Sequence, residues 1–474
     1  MSADGATPRP THRLGEVHAT FGEDPPAGEG SGTEVVVGGR LVLTRRHGRL
    51  AFLVLREGDD ELQLFCRRDV LGADGMDALE EVVAGDWLVA AGEVVRTRKG
   101  ELSVEPTLVE VVGRGAEPLP DKWHGLKDTE ARLRRRWVDL AVNAESRRVF
   151  SVRAAVIRAL RSTLDARGYV EVETPMLHPL PGGASARPFR THHNALDLEL
   201  YLRIAPELYL KRLVAGGMTR VYELGRVFRN EGLSPRHNPE FTILESYEAF
   251  ADYRDIMDLT EELVRSAARA AIGTTRTPAT SAHPDGIELA DAWPRRTLLD
   301  LVAEATGVAD LGYDTDRARV AALCAAHDVP VEPGWGVGKL LLELYEKLVE
   351  PSIVAPTFVT DYPVEVSPLA RRSTENPAVT ERFELIIGGR EHANAFSELT
   401  DPAEQRARFE AQVAARAAGD DEAMLLDEDY LEAMSFGMPP MGGLGIGVDR
   451  VVMLLAGVES IRDVILFPTL RPRR

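Results

Sequence analysis

The residues of greatest chemical interest fall in two runs, Val221-Tyr222-Glu223-Leu224-Gly225-Arg226-Val227-Phe228-Arg229-Asn230-Glu231 and Glu240-Phe241-Thr242-Ile243-Leu244-Glu245-Ser246-Tyr247. The polar stretch Gly232 to Pro239 between them makes the pair read as two strands joined by a loop. Side chains alternate across a strand, so Arg229 and Glu231 share a face on the first, and Phe241, Glu245 and Tyr247 share one on the second. One face of the hairpin then carries an arginine, two carboxylates and two aromatic rings. Such a face suits a substrate with anionic groups, a cationic group and a flat ring. A solvated sheet face crossed by ion pairs would show the same residues, and the hairpin alone leaves both readings open.

A second pair of acids, Glu384 and Glu391, flanks Gly388-Gly389, the signal of a two-residue hairpin turn. With that loop Glu384 pairs opposite Ala393 and lies diagonal to Glu391, at roughly 7 to 8 Å. Carboxylates so spaced suit Mg²⁺ held on substrate phosphates. Two surface glutamates beside a turn are the plainer alternative.

These side chains need elements to hold them. From Glu34 to about Val112 short β-branched runs (Glu34–Val37, Leu50–Leu55, Glu61–Cys66, Trp87–Val95, Glu101–Val112) are separated by Gly, Asp and Lys-Gly turns, with one helical stretch, Ala73–Val83. Five short strands suggest a small barrel of the OB type. Residues 1–32, rich in Pro, Gly and charge, are expected to form a disordered tail, 33–113 the barrel, and 114–137, with Pro118-Leu119-Pro120-Asp121, a linker. A second domain is expected over 138–474. There Val152, Ala155, Val156, Ala159, Leu160 and Leu164 recur at helical spacing, Gly168 ends the helix, and Tyr169–Val172 reads as strand. Leu198–Tyr247 alternates short strands and helices, and Leu298–Glu350 is mainly helical.

Composition narrows the class. A chain of 474 residues suffices for two to three domains. No apolar run is long enough to cross a bilayer and the first thirty residues hold no apolar signal core, so a cytoplasmic location away from membranes is expected. Cys66 and Cys324 are too few for a disulfide framework or a zinc cluster. With 56 Lys and Arg against 75 Asp and Glu, the net charge of -19 argues against indiscriminate nucleic-acid binding. Three basic clusters, Arg45-Arg46-His47-Gly48-Arg49, Arg96 to Lys99, and Arg132 with Arg134-Arg135-Arg136, suggest a phosphate-tracking surface on an otherwise acidic protein.

The hairpin at 221–247 resembles motif 2 of class II aminoacyl-tRNA synthetases in the lysine-specific form. Gly168-Tyr169-Val170-Glu171-Val172-Glu173-Thr174-Pro175-Met176-Leu177 resembles motif 1, and Gly443-Leu444-Gly445-Ile446-Gly447-Val448-Asp449-Arg450 resembles motif 3. The flanks Pro181-Gly182-Gly183-Ala184-Ser185-Ala186-Arg187-Pro188-Phe189 and Leu202-Arg203-Ile204-Ala205-Pro206-Glu207-Leu208 resemble the same family, and the likeness runs from about Glu34 to the C-terminus. The glycines at 443–447 do not fit a dinucleotide-binding GxGxxG. The resemblance implies an α+β multidomain protein: an N-terminal OB-fold β-barrel that binds the anticodon, and a class II catalytic domain with a mostly antiparallel sheet flanked by helices. It implies activation of L-lysine by ATP, transfer to tRNA-Lys, Mg²⁺ as cofactor, and a homodimer packed through motif 1.

By the resemblance, Arg229 bridges the amino-acid carboxylate and the α-phosphate, His237 and Arg450 approach the terminal phosphates, and adenine lies between Phe241 and Arg450. Glu231, Gly445 and Gly447 belong to the same ATP site, and Glu384 and Glu391 hold Mg²⁺. Joining two anions needs cations placed in advance rather than a covalent nucleophile. Tyr247 and Glu398, with Glu245 nearby, meet the ε-ammonium, Glu207 and the Gly183 backbone hold the α-amino group, Asn394 assists Arg229, and Phe396 belongs to the same pocket. Acids where the substrate side chain ends imply a cationic amino acid. Asn394, Phe396 and Glu398 have the opposite parity to Glu391, so a β-bulge is expected between Glu391 and Asn394. In the barrel, Arg45, Phe52, Gln63 and Glu101 match the anticodon-reading set; Phe52 stacks on a base if it faces outward and is core if it faces in.

Several positions depart from the family pattern: a short N-terminal extension without a helix, Arg190 after Phe189, Met441 before the motif 3 glycines, and His392 beside Glu391. A bulge that turned His392 into the site would make it a pH sensor; the alternative is a histidine packed behind the strand. Two rival functions are a paralogue that passes lysyl-adenylate to an acceptor other than tRNA, and a catalytically silent RNA-binding regulator. The barrel argues against the first, and intact Arg229, Glu384, Glu391 and Arg450 against the second.

Overall fold

In the computed structural model, residues 9–116, 119, 126–417, 419 and 422–472 are described, so the first eight residues of the expected tail and the linker residues Pro118, Pro120 and Asp121 lie outside them. The chain divides into two compact units, Met1–Arg147 and Arg148–Arg474.

The first unit is built on β1 (Gly30–His47), β2 (Leu50–Glu57), β3 (Asp60–Arg67), β4 (Trp87–Arg96) and β5 (Leu102–Gly113). They close in the order β1-β2-β3-β5-β4, the OB arrangement, around Val35, Leu41, Leu53, Leu64, Val94 and Val104. Strand β1 runs well beyond the expected Glu34–Val37 because Gly38-Gly39, which reads as punctuation, sits inside it. A Cβ at Gly39 would stand 3.0 Å from the Arg56 carbonyl oxygen. The bare backbone lets β1 curl, pairing with β4 along its first part and with β2 along its second.

The expected disordered tail instead carries a helix, Leu14–Phe21. Leu14 and Val17 are fully buried in the barrel core. Thr11 N donates to Val36 O at 2.8 Å, and Arg96 Nε donates to Pro25 O at 2.8 Å, which ties both ends of the segment to the strands. Two apolar residues on one short helix make too weak a periodicity to read without the groove that receives them. The same bonds take Arg96 out of the expected phosphate-tracking surface. Arg136 is also withdrawn: it is 2% exposed, its Nη1 lies 2.7 Å from Asp139, and Arg132 Nε lies 2.8 Å from the same carboxylate. Arg132, Arg136 and Asp139 form an ionic knot across the helices Thr129–Arg134 and Arg136–Val142, within the stretch expected as linker, while Arg134 pairs with the exposed Glu130. Arg45, Arg46 and Arg49 remain exposed.

In the second unit the strands are β6 (Val170–Glu171), β7 (Leu177–His178), β8 (Arg190–His193), β9 (Leu198–Leu202), β10 (Arg220–Phe228), β11 (Glu240–Ala249), β12 (Arg295–Thr297), β13 (Thr357–Thr360), β14 (Arg382–Ile386), β15 (Glu391–Ser397) and β16 (Met441–Gly447). Eight form one sheet in the order β12-β13-β14-β15-β16-β11-β10-β6, and β7, β9 and β8 form a second. The large sheet is antiparallel except at its edge pairs, β12 with β13 and β10 with β6. Val156, Leu160, Leu263, Val264, Val451 and Val452, from three helices, pack on Leu244, Leu385, Ala393, Leu444 and Ile446 of the sheet. The first of these helices ends as its sequence suggests, at Gly168 with φ +78°.

Candidate active site

Strand alternation assigns the two faces of the central strands. The apolar residues of β11, β14, β15 and β16 turn to the helices, and their neighbours turn to a cavity of about 390 Å³. Across the strands the register sets two rows, Tyr247-Gly443-Phe396-Arg382 and Glu245-Gly445-Asn394-Glu384. Gly443 makes room for the first row, since a Cβ there would sit 2.0 Å from Glu398 Oε1 and 2.5 Å from Tyr247.

Between β14 and β15, Leu385 pairs with Ala393 and Ile386 with Glu391, so His392 is the extra residue of a bulge between Glu391 and Asn394. The bulge puts Glu391 on the cavity face together with Asn394 and Phe396. Glu384 therefore pairs with Asn394, one residue from the Ala393 that an unbroken ladder predicts. Gly388 and Gly389 form the two-residue turn with φ +59° and +69°, a combination that disfavours any side chain. His392 itself is 4% exposed, its Nδ1 lies 2.9 Å from Arg390 O, and burial pushes its pKa down to about 4. It lines the edge of the cavity but is neutral near pH 7, so it is no sensor in that range. Met441 is buried at the start of β16, and Arg190 is exposed on β8.

One cavity gathers Gly183, Glu207, Arg229, Glu231, His237, Phe241, Glu245, Tyr247, Glu384, Glu391, Asn394, Phe396, Glu398, Gly445, Gly447 and Arg450. Its acidic end is Glu207, Glu245 and Glu398, with the Tyr247 hydroxyl donating to Glu245 at 3.1 Å. Burial and the neighbouring Glu207 push the Glu245 carboxyl up to about 8. Burial also lifts Glu398, whose Oε1 has no hydrogen-bond partner. Lys211, unforeseen in the sequence, is fully buried with Nζ 2.5 Å from Glu207 and in contact with Glu398.

The other end is cationic. Arg229 makes no ion pair among the described residues, and its Nε is buried without a partner. Its guanidinium lies 5.2 Å from the Phe241 ring centre, the ring that the resemblance gives to adenine. Arg450 reaches Glu391, with Nη1 3.0 Å from Oε2. Arg382, also unforeseen, holds Glu384 at 2.6 Å and Asn394 at 3.0 Å. Burial and Glu391 push the Glu384 carboxyl up to about 7, whereas at Glu391 burial's upward push is outweighed by Arg450, Arg229 and Arg382 together, which keep it below the ordinary range. His237 bonds Ser234 at 3.0 Å, and burial and Arg450 favour its neutral form. Among the described residues no group of three or more His, Cys, Asp or Glu side chains could hold a metal. A cation on Glu384 and Glu391 therefore needs further ligands from a substrate or from water.

Lys211 stands four residues after Glu207, and Arg382 two before Glu384. Those spacings were the available signals, on a helix and a strand respectively.

In the barrel, Phe52 is half-buried between the inward Ala51 and Leu53, so it lies on the outer face. It stacks on Phe65 at 5.3 Å, pairs across the strands with Arg45, and lies near Gln63, to which Arg45 donates at 3.3 Å. Gln63 also reaches Ser103, and Glu101 is exposed just before β5. Phe65 adds a second ring that the sequence did not single out.

The family described as tRNA synthetases class II (D, K and N) matches residues 128–471, and the OB-fold nucleic acid binding domain matches 35–112. The lysine–tRNA ligase of Moorella thermoacetica is 52% identical over 443 residues, covering 93% of this chain and 90% of the relative. That of Xanthomonas oryzae is 52% identical over 465 residues, 97% and 91% of the two chains, and that of Bacillus subtilis 50% over 440 residues, 93% and 87%. With the OB barrel, the antiparallel sheet and the bipolar cavity in place, this chain belongs to the class II tRNA synthetases and, among them, to the lysine–tRNA ligase family.

Proposed function

We propose that this chain activates L-lysine with ATP and transfers the lysyl group to tRNA-Lys. One observation carries the reading: a single cavity bears an unpaired guanidinium, Arg229, and an unpartnered carboxylate oxygen, Glu398 Oε1. These complement the carboxylate and the ε-ammonium of lysine. Glu207 and the Gly183 backbone take the α-amino group, Glu245 and Tyr247 join Glu398, Asn394 and Phe396 shape the wall, and Phe241 offers its ring to adenine.

A lysine carboxylate oxygen attacks the α-phosphorus, and the bond to the β-phosphate oxygen breaks, releasing pyrophosphate without a proton transfer. Both reactants are anions, so the barrier is lowered by fixed positive charge from Arg229, Arg450 and Arg236, which all line the cavity. Glu231, His237, Gly445 and Gly447 hold the nucleotide. Crowded carboxylates at Glu384 and Glu391 fit Mg²⁺ shared with substrate phosphates, where it would offset their charge. A terminal ribose hydroxyl of tRNA then takes the lysyl group and AMP leaves. Arg45, Phe52, Gln63 and Glu101 address the anticodon.

The remaining expectations belong to the same proposal: domains at 33–113 and 138–474, a cytoplasmic location, and a homodimer. Exposed Val170, Met176, Leu177, Leu196 and Leu198 on and around β6 to β9 supply an apolar surface for such a dimer. Among the described residues no helix is long and apolar enough to cross a membrane. Lysine-dependent ATP–pyrophosphate exchange together with charging of purified tRNA-Lys tests the function. Exchange without charging would point to the paralogue, and neither activity to the silent binder.

A further inference from the structure

We infer that Lys211 is a specificity-determining strut that fixes the spacing between the carboxylate for the α-ammonium and the carboxylate for the ε-ammonium, so that the pocket measures amino-acid length. The inference rests on the lysine site proposed above.

Lys211 lies one helical turn beyond Glu207 on the helix Glu207–Ala215, and Glu398 follows the end of β15. The two carboxylates thus come from different elements and, buried together, would repel. Lys211 Nζ joins them, 2.5 Å from Glu207 Oε1 and in contact with Glu398 Oε2. Its ammonium also lies 5.3 Å from the Phe396 ring centre and 5.9 Å from that of Tyr247, two walls of the same pocket. Each carboxylate gives one oxygen to the strut, and Glu398 Oε1 is left buried without a hydrogen-bond partner beside Gly443 in the wall of the cavity. The side chain that separates the two acids is therefore the protein's own, held by a rigid helical turn rather than by the ligand.

Charge supports the same role. The titratable groups facing Lys211 are Glu207, Glu245, Glu398, Tyr247 and Tyr430, with Arg382 acting on Glu207. With all three acids ionised, the state that two incoming ammonium groups favour, three acids against one lysine leave two negative charges, one for each ammonium group of a diamino acid. Without Lys211 the filled pocket would hold one acid in excess and would keep a proton instead.

The test is ATP–pyrophosphate exchange by full-length wild type, Lys211→Met and Lys211→Arg, with lysine and with its shorter homologue ornithine, between about pH 6.5 and 8.5. Lys211→Met is expected to lower the lysine-over-ornithine ratio of kcat/KM by at least about tenfold, mainly through KM, and to steepen the fall of lysine KM with pH. Lys211→Arg keeps the charge but changes the reach, so it should keep the pH profile while altering the ratio by at least about threefold. A wild-type ratio in both variants overturns the strut. Should Lys211→Met melt below assay temperature, Lys211→Arg decides alone. Glu398→Gln, assayed alongside, separates the two ideas: an unchanged lysine KM there sinks the lysine site itself, whereas a raised one with wild-type ratios at Lys211 sinks only the strut.

Discussion

At the scale of single residues, the pocket works through charges that have lost their water. Replacing Glu398 by Gln removes one member of a desolvated pair and is expected to raise lysine KM by at least about tenfold in pyrophosphate exchange; an unchanged KM would reject the assignment. Glu245 gives a pH signature. Its carboxyl, pushed up to about 8 by burial and Glu207, holds a proton below that pH and competes with the incoming ammonium. Lysine KM should therefore fall as pH rises from about 6.5 to 8.5, and Glu245→Gln should flatten the trend. His392→Ile should leave the profile unaltered, because His392 is already neutral throughout.

At the scale of elements, the bulge at His392 decides which side chains of β15 reach the cavity. Deleting His392 would remove the extra residue, let the ladder run unbroken from Ile386 with the same partners, and leave Glu391 and Asn394 two positions apart on one face. Lysine-dependent exchange is therefore expected to stay within about tenfold of wild type in a protein that still melts cooperatively. A loss of at least about a hundredfold would show that the local geometry of the bulge, beyond face alternation, places Glu391. The N-terminal helix gives a prediction of stability instead. Leu14→Ala should destabilise the barrel unit by about 2 to 5 kcal/mol in thermal or denaturant unfolding and leave pyrophosphate exchange untouched, because Leu14 is fully buried in the barrel core.

At the scale of the whole molecule, a net charge of -19 makes RNA binding depend on a few local cations. Arg45, Arg49, Arg98 and Lys99 are exposed on the barrel unit, while Arg96 and Arg136 are engaged internally. In a plot of log tRNA affinity against log salt, removal of each exposed cation that meets a phosphate should flatten the slope by about 0.7. Arg49→Ala with Lys99→Ala, measured by filter binding, should change it by about twice that amount. An unchanged slope would place the RNA elsewhere on the protein.

Order along the chain and strand alternation were legible without coordinates. Glu245 and Tyr247 had to share a face, Glu384 and Glu391 had to flank a glycine turn, and the parity conflict with Asn394 demanded a bulge, because these follow from local geometry. The helix at Leu14–Phe21 and the curl of β1 through Gly38-Gly39 were not legible, since both exist only against neighbouring strands. Arg96, Arg136 and Lys211 show the same limit in electrostatics. A charge in the sequence has a type but no partner, and folding determined that Arg136 pairs inside a knot while Lys211 sits between two acids. The sequence by itself determined the family, the strand parity and the set of groups able to do the chemistry. Only the tertiary structure decided which of those charges remain free for substrates and which are consumed by one another, because pairing and burial depend on distances that chain order does not contain.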